Sequence, residues 1–411
     1  MISDMRYREA YVWVWLPGEV QPVVAGRLAK DGNTLVFNYG KSYLERANSV
    51  PLYEPELPLQ SGLLPLLQGM SMPSCLRDAA PDAWGRRVLM FKRAGGARNE
   101  DLDELSCLLE SGSNRIGALD FQFSPTAYQP RLSEPVTLEE LQESTERIVN
   151  GQPLSPELAA ALQHGTSIGG ARPKANIETA DKQYVAKFSL STDLYNIIKA
   201  EFVAMRLAHL AGLNVAPVEL KTALNKDVLL VERFDRVASE AGWQRKMMVS
   251  ALTLLELDEM FARYASYEDL AEIIRHRFLR PDETLRELFG RIVFNILCGN
   301  TDDHARNHAA FWDGSHLALT PAYDLCPQSR AGNEASQAMK IHGDNNMAQL
   351  KVCLASAPGF MLSAGQAQEI IDHQITQIET NWEAVCDEAG LTRMERQGLW
   401  GRQFMNPYSF E

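Results

Sequence analysis

From Leu285 onward the apolar positions fall at Leu285, Leu288, Phe289, Ile292, Val293, Ile296 and Leu297. That i, i+3, i+4, i+7 recurrence predicts a helix that buries one face. Gly299 stands where a helix commonly stops. The densest polar cluster of the chain, NTDDHARN at 300–307, follows at once. A buried helix that ends in a polar loop holds that loop rigidly, which suits a site whose side chains need fixed positions.

The same patterning organises the rest. Residues 11–55 read as strands, with VVAGRLA and NTLVFNYG flanking Lys30-Asp31-Gly32, an Asp-Gly hairpin signal. From Pro58 the pattern turns helical and mixed, through PDAWGRRVLM and LDELSCLLE, to the strand-like RIGALDFQF. Residues 124–135 are rich in proline and serine and read as a linker. Thr137 to Glu140 has capping-box spacing, and Ser155-Pro156 has the form of a helix start. Strands return in NIETA, QYVAKFSL and DVLLVERF, with the amphipathic NIIKAEFVAMRLAHLAG between them. Beyond Asp235 nearly everything reads as helix, apart from one hairpin. The expected division is 1–135 β-rich, 136–235 small α/β and 236–411 helical, an α+β protein without repeats.

Composition narrows the classes. A chain of 411 residues exceeds one ordinary core. Hydrophobic content of 45% with 23% charged residues is that of a globular protein. No apolar run reaches membrane-span length, and MISDMRYREAYVWVW lacks the unbroken apolar stretch of a signal peptide, so a cytoplasmic protein is expected. Six scattered cysteines without a C-x-x-C pair point to core thiols. A net charge of −13 argues against autonomous, non-specific DNA binding.

Asp302 and Asn307 give D-x-x-x-x-N, the spacing of the protein-kinase catalytic loop, where the Asp takes a hydroxyl proton and the Asn holds magnesium. A second metal-binding acid should follow, and YDL supplies Asp324. Asp313-Gly314 predicts a hairpin that folds the chain back, so Asn307 and Asp324 could meet around one ion. Few protein oxygens, with waters and phosphates completing the shell, is magnesium chemistry. The spacing alone also fits an ordinary polar loop. His304 and His308 stand at i, i+4 without a third zinc ligand, and His304 is better read as a hydrogen-bonding residue.

Lys187, inside an alternating strand, is placed to reach α/β-phosphates, and Glu201 on the amphipathic helix is its expected partner. Val231, Glu232 and Phe234 lie where the strand DVLLVERF leads toward the helical segment, so their backbone could meet adenine. The stretch GTSIGGARPKA at 165–175 is no Walker A loop. Its glycines, with Arg172 and Lys174, fit either a phosphate cradle or a plain flexible turn.

Together these motifs resemble the HipA family of bacterial serine/threonine kinases, toxins of toxin–antitoxin pairs. TSIGGARPKA resembles the family's phosphate loop, NTDDHARN its catalytic loop and TPAYDL its metal-binding segment, while PDAWGRR and RIGAL echo its N-terminal subdomain. The resemblance implies a two-lobed, protein-kinase-related α+β fold with ATP and Mg2+ as cofactors. It implies that Asp302 is the catalytic aspartate, that Asn307 and Asp324 hold the magnesium, and that Lys187 is the ATP lysine. Ser167 would be the autophosphorylated serine, within a phosphate loop of Ser167, Ile168, Gly169, Gly170, Ala171, Arg172 and Lys174. Arg172-Pro173 and Ala175 depart from some relatives. The implied partners are a HipB-like helix-turn-helix antitoxin, operator DNA through it, and a protein substrate, in some relatives an aminoacyl-tRNA synthetase. The alternative is a catalytically weak, kinase-like co-repressor bound to that antitoxin.

Overall fold

The computed structural model describes residues 7–94, 102–132, 136–152, 154–155, 172–330 and 332–411. The chain forms two units, each discontinuous in sequence. The first comprises Met1–Ser191, Lys221–Val249 and Trp312–Ser315, and the second Thr192–Leu220, Ser250–Phe311 and His316–Glu411.

The first unit holds two four-stranded sheets. One is built from β1 (Glu9–Val14), β2 (Val23–Asp31), β3 (Thr34–Tyr39) and β4 (Leu119–Gln122), in the order β3-β2-β1-β4. The expected hairpin closes at Asp31↔Thr34, with Gly32 at φ 58. The strand region ends at Tyr39, short of 55, because GKSYL turns into one helical turn, Lys41–Leu44. The other sheet takes β5 (Lys174–Glu178), β6 (Gln183–Phe188), β7 (Val218–Ala223) and β8 (Lys226–Glu232), in the order β5-β6-β8-β7. Ala175, Tyr184, Ala186, Phe188, Val228 and Leu230 cover one face of this sheet and pack with Leu141. Leu141 belongs to the helix Leu138–Val149, which the Thr137–Glu140 capping box starts. The helix start expected at Ser155-Pro156 falls largely outside the described residues.

After Asp235 the chain does not turn helical at once. It forms a second hairpin, β9 (Arg236–Ser239) with β10 (Gly242–Arg245), then β11 (Met247–Ser250). Most of that hairpin is exposed, so it carries no alternating apolar signal.

A buried ionic network ties this hairpin to RIGAL. Arg115 donates from Nε to Asp120 Oδ1 at 2.9 Å, and Arg131 reaches the same oxygen at 2.8 Å. Asp235 accepts from Arg233, Arg236 and the Gly117 amide, each at 2.7 Å. Buried charge survives only when paired and hydrogen-bonded. Burial alone would disfavour ionised Asp120, but the Arg115 and Arg131 guanidiniums outweigh it and hold the carboxyl down to about 2.

The second unit is helical around Pro281–Cys298, in which every residue from Leu288 to Cys298 is buried. Proline opens this helix and Gly299 closes it in the left-handed conformation, φ 72. A Cβ at Gly299 would lie 2.6 Å from the Gln403 carbonyl oxygen. The remaining strands, β12 (Ala309–Trp312) and β13 (Leu317–Leu319), flank the Asp313-Gly314 turn, with Gly314 at φ 100. Among the described residues no helix is long and apolar enough to cross a membrane.

Candidate active site

In the second unit the core helix delivers the polar loop as its apolar stripe requires. The loop is closed by its own backbone: the His304 amide donates to Asp302 O at 2.9 Å, and the Asn307 amide to His304 O at 2.8 Å. The Asn307 side chain completes the turn, Nδ2 donating to Asp302 O at 3.2 Å. From outside, the Ala251 and Leu252 amides donate to His308 O and Ala305 O, and the Tyr323 hydroxyl to Arg306 O at 2.7 Å. The loop is held chiefly by main-chain bonds, which leaves side chains available for chemistry.

Asp302 is the exposed acid of the pair, and its carboxylate accepts no hydrogen bond from a described residue. Partial desolvation raises its carboxyl above the ordinary carboxylate range. The neighbouring His304 draws it back down, and the Asp324 and Asp303 carboxylates push it further up. An accessible carboxylate with raised basicity beside other acids can act as a general base.

Asp324 sits in the left-handed region at φ 60, a conformation that costs a non-glycine residue free energy and tends to occur at functional positions. Its segment is clamped. Ala322 donates to Asn214 O at 2.7 Å and accepts from the Ala216 amide at 2.9 Å. Buried Arg291 of the core helix donates to Thr320 O at 2.8 Å.

The donor set fits a hard divalent cation. Asn307 uses Nδ2 to hold the loop, which leaves its carbonyl oxygen as a ligand, and Asp324 adds carboxylate oxygens near enough to Asp302 to perturb it. Such crowding of like charge is what a cation relieves. Among the described residues no group of three or more His, Cys, Asp or Glu could hold an ion by itself. A two-residue set that leaves room for waters and phosphates matches magnesium. His308, the other histidine of the i, i+4 pair, turns Nε2 to the Asp303 carboxylate at 2.9 Å.

In the first unit, Lys174 and Lys187 are direct partners across β5 and β6, and both are buried at 6% exposure. They occupy the face opposite the Leu141 cluster, together with Leu229, which pairs with Lys187. Trp84 of PDAWGRR is buried and donates its indole N–H to Lys174 O at 3.1 Å, bracing the start of β5. Arg172 donates from Nε to Phe188 O at 3.2 Å.

Val231 and Glu232 end β8, and the Glu232 carboxylate pairs with Lys182 at 2.6 Å; Phe234 follows and leads into the β9–β10 hairpin. Glu201 is buried in the helix Ile197–Leu210 of the second unit. Ser167, Ile168, Gly169, Gly170 and Ala171 lie outside the described residues.

Pattern reading missed the buried polar residues behind the loop: Asp303, Asn295, Asn300 and Tyr267. Asn295 interrupts an apolar stripe, and Asp303 is the second acid of a pair. Those were the available signals.

Comparison with known proteins places this geometry. The model of the HipA-like C-terminal domain matches residues 166–382, and that of the HipA N-terminal domain residues 14–122. Y4mE of Sinorhizobium fredii, a protein named as a candidate kinase, is 26% identical over 344 residues, 76% of each chain. The serine/threonine-protein kinase toxin HipA of Shewanella oneidensis is 28% identical over 183 residues, 39% of this chain and 42% of that protein. A chain from the S. oneidensis complex of HipA, HipB and operator DNA superposes with a TM-score of 0.69 at 20% identity, covering 97% of this chain and 99% of that one. With family models on both halves and that fold over nearly its whole length, the chain belongs to the HipA family.

Proposed function

We propose that this chain is an ATP- and magnesium-dependent serine/threonine protein kinase that acts as a HipA-type toxin. The observation that carries the reading is the exposed Asp302 carboxylate, presented by a buried helix beside a left-handed Asp324. In this reading Asp302 orients the acceptor hydroxyl and takes its proton. Asn307 and Asp324 would hold the magnesium, which would neutralise charge developing during phosphoryl transfer. Lys187 and Lys174 face the α- and β-phosphates, with Glu201 as the counter-charge on the helix. Arg172 is assigned to the γ-phosphate, His304 tempers the charge on Asp302, and the Val231–Phe234 backbone meets adenine.

Ser167 is the proposed site of autophosphorylation between molecules. A phosphate there adds about −1.5 to −2 charges to the loop proposed to cradle ATP, and so switches the kinase off. A HipB-like antitoxin is the proposed partner, with operator DNA reached mainly through it. Support comes from the S. oneidensis complex, whose fold this chain shares, and from a net charge of −13, which suits docking onto a basic DNA-binding protein. The reaction is placed in the cytoplasm, where ATP and protein substrates are available.

The test is thermal stabilisation by ATP with and without magnesium, followed by mass spectrometry of the incubated protein. The reading expects magnesium-dependent stabilisation and a phosphate on Ser167. Stabilisation that ignored magnesium would argue against the metal assignment, and an unmodified loop against the switch.

A further inference from the structure

Behind the exposed Asp302, the adjacent Asp303 is almost fully buried, and its carboxylate accepts three hydrogen bonds from three parts of the second unit. The Tyr267 hydroxyl, at the start of the helix Tyr267–Arg277, donates to Oδ2. Asn295 Nδ2, in the last turn of the core helix, donates to the same oxygen at 2.7 Å. His308 Nε2, just past the loop, lies 2.9 Å from it. Asn295 continues the chain of bonds. Its Oδ1 accepts from Asn300 Nδ2 at 2.9 Å, and its backbone carbonyl accepts from the Asn300 amide, also at 2.9 Å. Asn300 Nδ2 in turn reaches the Asp324 carbonyl at 3.4 Å. The Gln328 amide donates to Gly299 O at 2.9 Å, a second tie between the two segments.

We infer that Asp303, Asn295 and Asn300 form a positioning relay that sets the separation of Asp302 from Asp324, with Tyr267 and His308 anchoring its buried end. The inference deepens the kinase reading and rests on it for the roles of Asp302 and Asp324. Its physical basis is the Asn295 amide, both ends of which are engaged, so it has one orientation between Asp303 and Asn300. The loop's own bonds shape the turn around Asp302. Beside the separate tie of the Tyr323 hydroxyl to Arg306 O, the relay is the side-chain route that ends on the Asp324 backbone itself, where the left-handed residue has to be held against its conformational cost. None of its three members needs to touch substrate.

Asp303→Asn puts an amide group among donors, Asn300→Ala cuts the far end, and Tyr267→Phe removes a single donor and is the mildest change. Backbone amide exchange is read on the whole chain, independently of turnover. Asp303→Asn should raise exchange about tenfold at the remote Tyr323–Gln328 segment as well as in its own loop, with Tyr267→Phe smaller in the same direction. In phosphoryl transfer, kcat should fall about 10- to 100-fold while KM for ATP stays within about twofold, as for residues that support a site without contacting its ligands. Asp303→Asn with Asn300→Ala should do no more damage than the worse single change, because both cut one route.

Faster exchange confined to 300–308, or losses that multiply in the double variant, would overturn the relay. Should Asp303→Asn not fold, Tyr267→Phe and Asn300→Ala decide the matter. Wild-type protein without turnover would sink the kinase reading, while the exchange result would still test the relay.

Discussion

At the scale of single residues, two acids that read alike in the sequence have opposite fates. Asp302 is exposed and its carboxylate accepts no hydrogen bond from a described residue, whereas Asp303 is buried and its carboxylate holds three donors. The D-x-x-x-x-N spacing selects Asp302, but nothing in a linear pattern says what lies behind it. The proposed roles of Asp302 and Asp324 divide similarly. Asp324→Ala removes a proposed metal ligand and should weaken magnesium-dependent ATP binding about tenfold or more. Asp302→Asn should leave that binding nearly unchanged. Titration of both variants in magnesium checks this, and equal affinities would refute the division. Gly299 offers a purely structural test. Alanine there meets both the left-handed backbone and the Gln403 carbonyl, so Gly299→Ala should cost at least about 2 kcal/mol in denaturant unfolding.

At the scale of elements, the sequence was legible where local chemistry decides the outcome. The Asp-Gly turns, the Thr137–Glu140 capping box and the stripe of the core helix all formed as read. It was illegible where elements are short and mostly exposed, as in β9 and β10, or where a helical turn interrupts a strand-like stretch, as at Lys41–Leu44. The ionic network was invisible for a different reason. Arg115 and Asp120 lie close in sequence, but the matching set around Asp235 arrives more than a hundred residues later. That network has a pH signature. The Arg115 and Arg131 guanidiniums hold the folded Asp120 carboxyl down to about 2, below the ordinary aspartate value, so its stabilisation is full above about pH 4 and is lost as pH falls toward 2. The amount is on the order of 2 kcal/mol. Acid unfolding of wild type should therefore steepen below pH 4, and Asp120→Asn, less stable at neutral pH, should flatten that limb. Parallel acid limbs in the two proteins would exclude Asp120 as the source.

At the scale of the whole molecule, the compact units are not consecutive segments. The chain folds as two units, each assembled from separated stretches, and the 236–249 region counts with the first. A reading that proceeds along the chain cannot see such exchange, because the contacts that define a unit join distant residues. Lys174 and Lys187 belong to the first unit, and Asp302, Asn307 and Asp324 to the second. The central claim is that Asp302 acts as the base of phosphoryl transfer. The most direct measurement is incorporation of labelled phosphate from ATP, with magnesium, by wild type and by Asp302→Asn at equal nucleotide occupancy. The account predicts transfer by wild type and a loss of at least about a hundredfold in the variant, since the carboxylate acts in the transition state rather than in nucleotide docking. Near-normal transfer by Asp302→Asn would contradict it.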